Sequence, residues 1–300
     1  MATFLFLIRP RYPQAVEVAE RAIRLLEDSG HTAVAMPEMV DIDQGSWNYQ
    51  GQTVQVDEDD SALEGLDIKE LPSKENEVDL VVSLGGDGTM LRAVHMATEV
   101  SAPVLGVNLG TLGYLPEIEP DELETALKRF LSGNYGIEQR ILVEVDEPST
   151  STSVLALNEI VVGKSSPGHT VRVALEINGQ PFLTYVADGV LVSTPTGTTG
   201  YNLSIRGPIL SPGLQSLVIA PIAPHMLFDR SMVLAPSDQV SLRVLDGREA
   251  VLVVDGVAIA NIEPNQEVSC RIARKRAELI TFGERNFYSI LKSKFGLSDR

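Results

Sequence analysis

Up to about residue 135, short apolar runs alternate with amphipathic segments of helical period; beyond it the helices give way to a succession of short β runs. This change of pattern constrains the fold more than any other feature. Strands alternating with helices specify a parallel sheet covered by helices, and β runs separated by turn signals specify antiparallel sheets.

In the first part, Phe4–Ile8, "HTAVAM", "VDLVVSL" and "PVLGVN" read as strands. "PQAVEVAERAIRLLEDSG" places Val16, Ala19, Ile23 and Leu26 at helical spacing and Gly30 where a helix C′ glycine belongs. "TMLRAVHMA" is a second helix, starting near Thr89, and "PDELETALKRFLSG" a third, with acids first and bases last as the helix dipole favours. In the second part, "TVRVALEINGQPFLTYVADGVLVST" carries Asn178-Gly179 between two alternating runs, a hairpin signal. "MVLAP", "VSLRVL", "AVLVVDG" and "EVSCRI" continue the pattern, and "ERNFYSILKSKFGL" is an amphipathic helix with Phe287, Ile290, Leu291 and Phe295 on one face. The expected architecture is α/β plus all-β. A Rossmann-like parallel-sheet domain spans 1–134, an antiparallel β-sandwich spans 135–275, and the helix within 276–300 returns to the first domain.

Acids outnumber bases 41 to 24, giving a net charge of -17. Affinity for nucleic acid rests on clustered Lys and Arg, so no nucleic-acid partner is expected. An anionic ligand must then be held by backbone N–H groups, a few bases or a bound cation. Thirteen acids and two bases fall between Glu38 and Asp79, which reads as a solvated loop. Cys270 is the only cysteine, so no intrachain disulfide can form. The apolar run Phe4–Ile8 is too short for a signal sequence, and no run approaches the roughly 20 residues of a membrane span. A cytoplasmic protein without a membrane partner is expected.

"VVSLGGDGTM", residues 81–90, carries the clearest chemistry. A parallel strand that opens through glycines into a helix is a usual phosphate site, because backbone can approach closely and the helix start supplies N–H donors. Gly85, Gly86 and Gly88 form the cradle, with Thr89 at the helix start. No Gly-Lys-Ser/Thr follows, and GxGxxG is absent, so neither the Walker A loop nor the dinucleotide fingerprint applies. Asp87 stands out: a carboxylate beside phosphates would be repelled unless it meets a divalent cation or accepts a proton from an attacking hydroxyl. The plainer reading is an Asp-Gly turn.

From Ser193 to Ser204, seven of twelve residues bear hydroxyls: Ser193, Thr194, Thr196, Thr198, Thr199, Tyr201 and Ser204. Such a loop can offer donors and acceptors to ribose and phosphate oxygens, or be a polar surface turn. Asn158 and Glu159 sit inside an apolar β run, where they could bind an adenine edge or ribose diol, or cap a strand end.

In this order the segments resemble the NAD kinase family. Its marks are GGDGT, "NLGTLGYL" (Asn108 to Leu115), Asn-Glu, and Asp-Gly leading into the Ser-Thr-Pro-Thr-Gly loop. "GPILSP" and "APIAPH" also match, and the likeness covers about residues 78–260. GGDGT alone is shared with diacylglycerol and sphingosine kinases. The resemblance implies transfer of a phosphoryl group from ATP, or in some members polyphosphate, to the 2′-hydroxyl of the adenosine ribose of NAD. It implies Mg²⁺ or another divalent cation carried by the substrate phosphates, and a homo-oligomer, dimer or tetramer, joined through the β domain. Asp87 then takes the hydroxyl proton, with Gly88 beside it against the substrate. Asn158 and Glu159 bind the adenosine. His169, Asp188, Thr196, Thr199, Gly200, Tyr201, Asn202, Leu203 and Ser204 match further NAD contacts, and Arg92 stands near the phosphates.

The chain departs from the family pattern at several positions. Gly200 stands where many members have Ala, Val257 where Gln often follows Asp-Gly, and Arg206 where Gly is commoner. Val186 stands where some members carry Arg, and a non-basic residue there goes with weaker discrimination against NADH. The alternatives are a lipid kinase sharing GGDGT, which would want a basic or amphipathic membrane face, and a non-catalytic NAD sensor.

Overall fold

The structure is a computed structural model that describes residues 1–9, 13–37, 78–110, 113–146, 153–245, 249–283 and 286–297. The acidic stretch read as a solvated loop lies, from 38 to 77, outside the described residues. The chain forms two compact units. The described residues up to Gln139, with those from Ala277 onward, make the first, and Arg140–Arg276 the second.

The first unit begins β1 (Thr3–Ile8), α1 (Pro13–Asp28), β2 (Thr32–Pro37), β3 (Leu80–Gly85), α2 (Asp87–Val100), β4 (Val104–Asn108) and α3 (Leu123–Leu131). Its sheet runs β2-β1-β3-β4, with every pairing parallel. β3 and β4 are buried along their whole length, as expected where helices cover both faces. Strand alternation sends Phe4, Phe6 and Ile8 into one core with Leu80, Val82, Leu84, Leu26 of α1 and Leu127 of α3. On the other face α2 buries Met90, Ala93, Val94 and Ala97, with Met90 against Gly106 of β4.

The order of these strands positions the site. Sequence-adjacent strands lie on opposite sides of β1, so a switch point falls between β1 and β3, where open α/β sheets leave a crevice beyond their strand ends. There Ile8 pairs with Leu84, and Gly85 begins the turn into α2. The helix starts at Asp87 rather than near Thr89, with Gly86 as its N-cap. Asp87 and Gly88 therefore belong to the first helical turn, where a carboxylate complements the exposed N–H groups.

The second unit contains β5 (Gly136–Asp146), β6 (Ser153–Ala156), β7 (Glu159–Lys164), β8 (Val171–Ile177), β9 (Gln180–Ala187), β10 (Gly189–Ser193), α4 (Tyr201–Ser204), β11 (Leu217–Ile222), β12 (Met232–Leu234), β13 (Val240–Val244), β14 (Ala250–Val254), β15 (Val257–Ile262) and β16 (Glu267–Thr281), although β5 starts and β16 ends within the first. One sheet runs β16-β13-β8-β9 and the other β12-β11-β10-β7-β14-β15, all antiparallel. Asn178 and Gly179 join β8 to β9 with φ of 54° and 71°, both left-handed, as a two-residue hairpin turn requires.

The sandwich core draws Val173, Leu242 and Val268 from one sheet and Ile160, Val192, Ile219 and Leu252 from the other. Leu279 of β16 pairs in parallel with Val104 of β4, adding a strand to the first unit's sheet. The chain closes with α5 (Phe287–Lys294), which buries Ile290 in the first unit. Phe295, expected on the same face, is 46% exposed, because the helix ends at Lys294 and Phe295 leaves its register as the C-cap.

Tyr185 is fully buried in the sandwich core, and its hydroxyl has no hydrogen-bond partner. Burial pushes its pKa up to about 12. Removing an unsatisfied buried hydroxyl removes its desolvation cost, so Tyr185→Phe is expected to stabilise the protein by about 1 kcal/mol. A shift of the urea-unfolding midpoint to higher concentration would verify this; a lower midpoint would show that the hydroxyl contributes net stability.

Candidate functional site

In the first unit the site is built around the Asp87 carboxylate. Tyr114 donates its backbone N–H to Oδ1 at 2.9 Å and to Oδ2 at 3.2 Å, and Leu115 donates to Oδ1 at 3.0 Å. The GGDGT turn and the "NLGTLGYL" segment are thus tied together by one side chain, leaving Oδ2 the less engaged oxygen. Gly113 makes the approach possible: a Cβ there would stand 2.6 Å from Asp87 Oδ1 and 2.6 Å from Pro116 Cδ. Gly86 and Asp87 are half-buried, Gly88 is exposed, and Gly85 and Thr89 are buried beneath them. Arg92 lies on α2 one turn beyond Gly88, so it shares that residue's face of the helix. Burial, and then the charge of Asp87, raise the pKa of the Tyr114 hydroxyl. The Tyr114 ring meets Phe287 at 6.3 Å, and Lys294 Nζ lies over it at 4.5 Å.

The second unit holds a pocket of about 360 Å³ on the outer face of its six-stranded sheet, lined by Glu159, Val161, Lys164, Asp188, Tyr201 and Ile222 among others. A strand period of two explains the selection: Ile160 and Val162 point into the sandwich core, whereas Glu159 and Val161 face the pocket. One end carries the Lys164–Asp188 ion pair, 2.8 Å. The other carries Glu159, beside Asn158. Glu159 is 8% exposed, and its Oε2 has no hydrogen-bond partner. Burial, and then the nearby Asp255 carboxylate, push its pKa up to about 8. An apolar floor with polar groups at its ends suits a ligand with a flat apolar ring and polar substituents.

Most hydroxyls of the loop have partners within the protein. The Thr194 hydroxyl donates to Leu157 O, Ser193 to Asn158 O, Thr198 to Pro195 O and Thr199 to Thr196 O. Thr196 Oγ1 accepts from buried Arg140, 3.2 Å. Five of the seven hydroxyls therefore brace the loop, because a Gly-containing turn at a strand end must pair its own polar backbone. Tyr201 and Ser204 are exposed, and Leu203 is half-buried. Asn202 is fully buried and donates to Pro208 O. Gly200 closes the loop against the Asn158–Glu159 pair; a Cβ on it would stand 3.4 Å from Glu159 Oε2.

Asn158, Glu159, Asp188, Gly200 and Tyr201 are therefore brought together, and Thr196 and Thr199 shape the loop above them. His169 is not in that group. It is exposed and lines a separate depression with Ser165, Ser166, Thr170 and Glu249, next to Lys164. Reading the sequence missed Gly113, Lys164 and Asp255; the signal for Asp255 was its Asp-Gly turn.

Residues 4–135 match the family model described as ATP-NAD kinase N-terminal domain, and residues 157–282 match ATP-NAD kinase C-terminal domain. The NAD kinase of Thermococcus kodakarensis is 35% identical over 286 residues, covering 94% of this chain and 96% of its own. That of Lachnoclostridium phytofermentans is 36% identical over 258 residues, 82% of this chain and 89% of its own. Among solved structures, yeast NADH kinase complexed with NADH superposes with a TM-score of 0.79 at 24% identity, over 100% of this chain and 89% of its own. An NAD kinase from Archaeoglobus fulgidus in complex with ATP gives 0.70 at 23% identity, over 100% of both chains. These likenesses establish the fold class: an α/β unit followed by an antiparallel β unit, with a C-terminal helix. At the level of sequence the assignment is specific: the chain belongs to the NAD kinase family.

Gly113→Ala places a methyl group against Asp87 and Pro116. It is expected to destabilise the protein by about 1–3 kcal/mol, as overpacking does. Urea unfolding measures this, and an unchanged midpoint would mean that the 113–116 turn yields without cost.

Proposed function

We propose that the protein is an NAD kinase, transferring the γ-phosphoryl group of ATP to the 2′-hydroxyl of the adenosine ribose of NAD and giving NADP and ADP. Family membership supports the overall reaction. The observation that carries the mechanism is the Asp87 carboxylate, fixed by the N–H groups of Tyr114 and Leu115 at the mouth of the β3–α2 turn. In the reaction the 2′-oxygen forms a bond to the γ-phosphorus, the bond to the bridging oxygen of ADP breaks, and the hydroxyl proton passes to Asp87. An aspartate is a weak base, so it accepts that proton late, once the oxygen is bonding to phosphorus. Alignment and charge neutralisation supply most of the acceleration.

The backbone N–H groups of Gly86, Asp87 and Gly88 at the start of α2, with Arg92 one turn on, suit the ATP phosphates. Asn158 and Glu159, with Tyr201 and the apolar pocket floor, suit the NAD adenosine. Among the described residues no group of three or more His, Cys, Asp and Glu side chains is placed to hold a metal ion. Mg²⁺ or another divalent cation, carried by the phosphates of ATP, would neutralise their charge. Polyphosphate is the alternative donor.

Among the described residues no helix is long and apolar enough to cross a membrane, and a cytoplasmic location fits the buried, unpaired Cys270. A homo-oligomer joined through the second unit fits the exposed Phe182, Leu227, Phe228 and Val233 there. Sedimentation should then give twice or four times the mass of the chain, and a monomer would remove this part of the reading.

The direct test incubates the protein with Mg²⁺, ATP and either NAD or NADH, and quantifies NADP and NADPH. NADP formation is expected, with NADPH formed as well, because half-buried Val186 puts no cation two residues before Asp188. Asp87→Asn should lower turnover by about 10²–10⁴-fold, the usual contribution of a positioned base, while NAD binding is retained. Binding of NAD without turnover in the wild type would instead make the protein a sensor.

A further inference from the structure

We propose that Asp255 is a positioning residue for the second unit's nucleotide pocket, fixing the Asn158–Glu159 pair so that Glu159 meets NAD as a hydrogen-bond donor. The proposal rests on the reading of that pocket as the NAD site. Asp255 occupies the two-residue turn between β14 and β15 with a left-handed φ of 45°, followed by Gly256 at 85°. Its carboxylate accepts three successive backbone N–H groups, from Leu157 at 2.8 Å, Asn158 at 2.8 Å and Glu159 at 3.0 Å. Its own N–H donates to Glu159 O at 3.0 Å. The start of β7 is therefore held by one side chain from a turn almost a hundred residues away in the chain.

That arrangement also decides what Glu159 can offer. Glu159 is more than nine-tenths buried, lines the pocket, and has an Oε2 without a partner. Among the described residues, the Asp255 carboxylate approaches it from the β14–β15 turn and Tyr201 lines the same pocket from α4, while the neutral Ser193 pairs across from it on β10. Lys164, at the far end of the pocket, is engaged by Asp188. Burial and a neighbouring carboxylate both disfavour a second negative charge, which places its titration near pH 8. Near neutral pH, Glu159 therefore keeps its proton and presents an O–H to an acceptor such as a ribose oxygen or a ring nitrogen. No side chain on Gly200 stands in front of it.

The test measures NAD affinity of the full chain by calorimetry from pH 6.5 to 9.5, for wild type, Asp255→Asn and Glu159→Gln, and follows the Glu159 carboxyl by ¹³C NMR in the absence of NAD. Wild-type affinity should hold to about pH 8 and then fall, approaching about tenfold per pH unit, as loss of one required proton dictates. E159Q, a permanent donor, should bind without that fall. D255N should weaken binding and move the break to lower pH, because the like charge is gone. A flat wild-type profile overturns the donor role, and a break unmoved in D255N overturns the part of Asp255 in setting it. If D255N does not fold, D255E keeps the charge on a longer arm: weaker binding with the break in place supports positioning, and unchanged binding refutes it. If NAD does not bind at any pH, the NAD reading fails, and the NMR titration of wild type against the Asp255 variant still decides the proton.

Discussion

In both units the candidate site depends on one kind of interaction, an aspartate side chain accepting main-chain N–H groups of a distant turn. Backbone donors that leave a sheet must find partners, and glycine-rich turns supply few side chains to serve them. Asp87 serves Tyr114 and Leu115, and Asp255 serves Leu157, Asn158 and Glu159. Each carboxylate therefore has two tasks. It satisfies the orphan donors of a turn, and it fixes a negative group at a defined point of its unit's candidate site. Removing either would loosen a loop as well as alter its charge.

The electrostatics follow the same pattern of local solutions. A chain of net charge -17 that handles phosphates must attract them locally. The N-terminal end of α2, whose first turn exposes N–H groups at the edge of a sheet switch point, is one local feature suited to that, with Arg92 one turn further on. In the second unit's pocket the acidic side chains are balanced locally. Asp188 is paired with Lys164, and Glu159 is held in a setting that favours its neutral form.

The sequence was readable where a short period or a local turn chemistry decides the structure. The alternating apolar runs of β8 and β9 and the Asn178-Gly179 turn between them give a hairpin, and the helical spacing of Val16, Ala19, Ile23 and Leu26 gives α1. GGDGT pointed to Asp87 because a lone acid in a side-chain-poor turn has little to do there but meet a ligand or accept backbone N–H groups. The hydroxyl loop was harder. Its composition signals polarity but not direction, and most of its hydroxyls turn inward, to carbonyls of the loop and of Leu157 and Asn158 or to Arg140. Asp255 was invisible as a partner, since nothing local links a β-turn to N–H groups 96 to 98 residues earlier. Gly113 was likewise hidden in part, because one of the two atoms that crowd a side chain there belongs to the distant Asp87, the other to Pro116.

Tyr114 has its N–H on Asp87 and its ring between Phe287 and Lys294 of the last helix. The turn that holds the Asp87 carboxylate is therefore packed in part by a helix from the far end of the described chain, so that a change confined to α5 would reach Asp87 through the backbone of Tyr114.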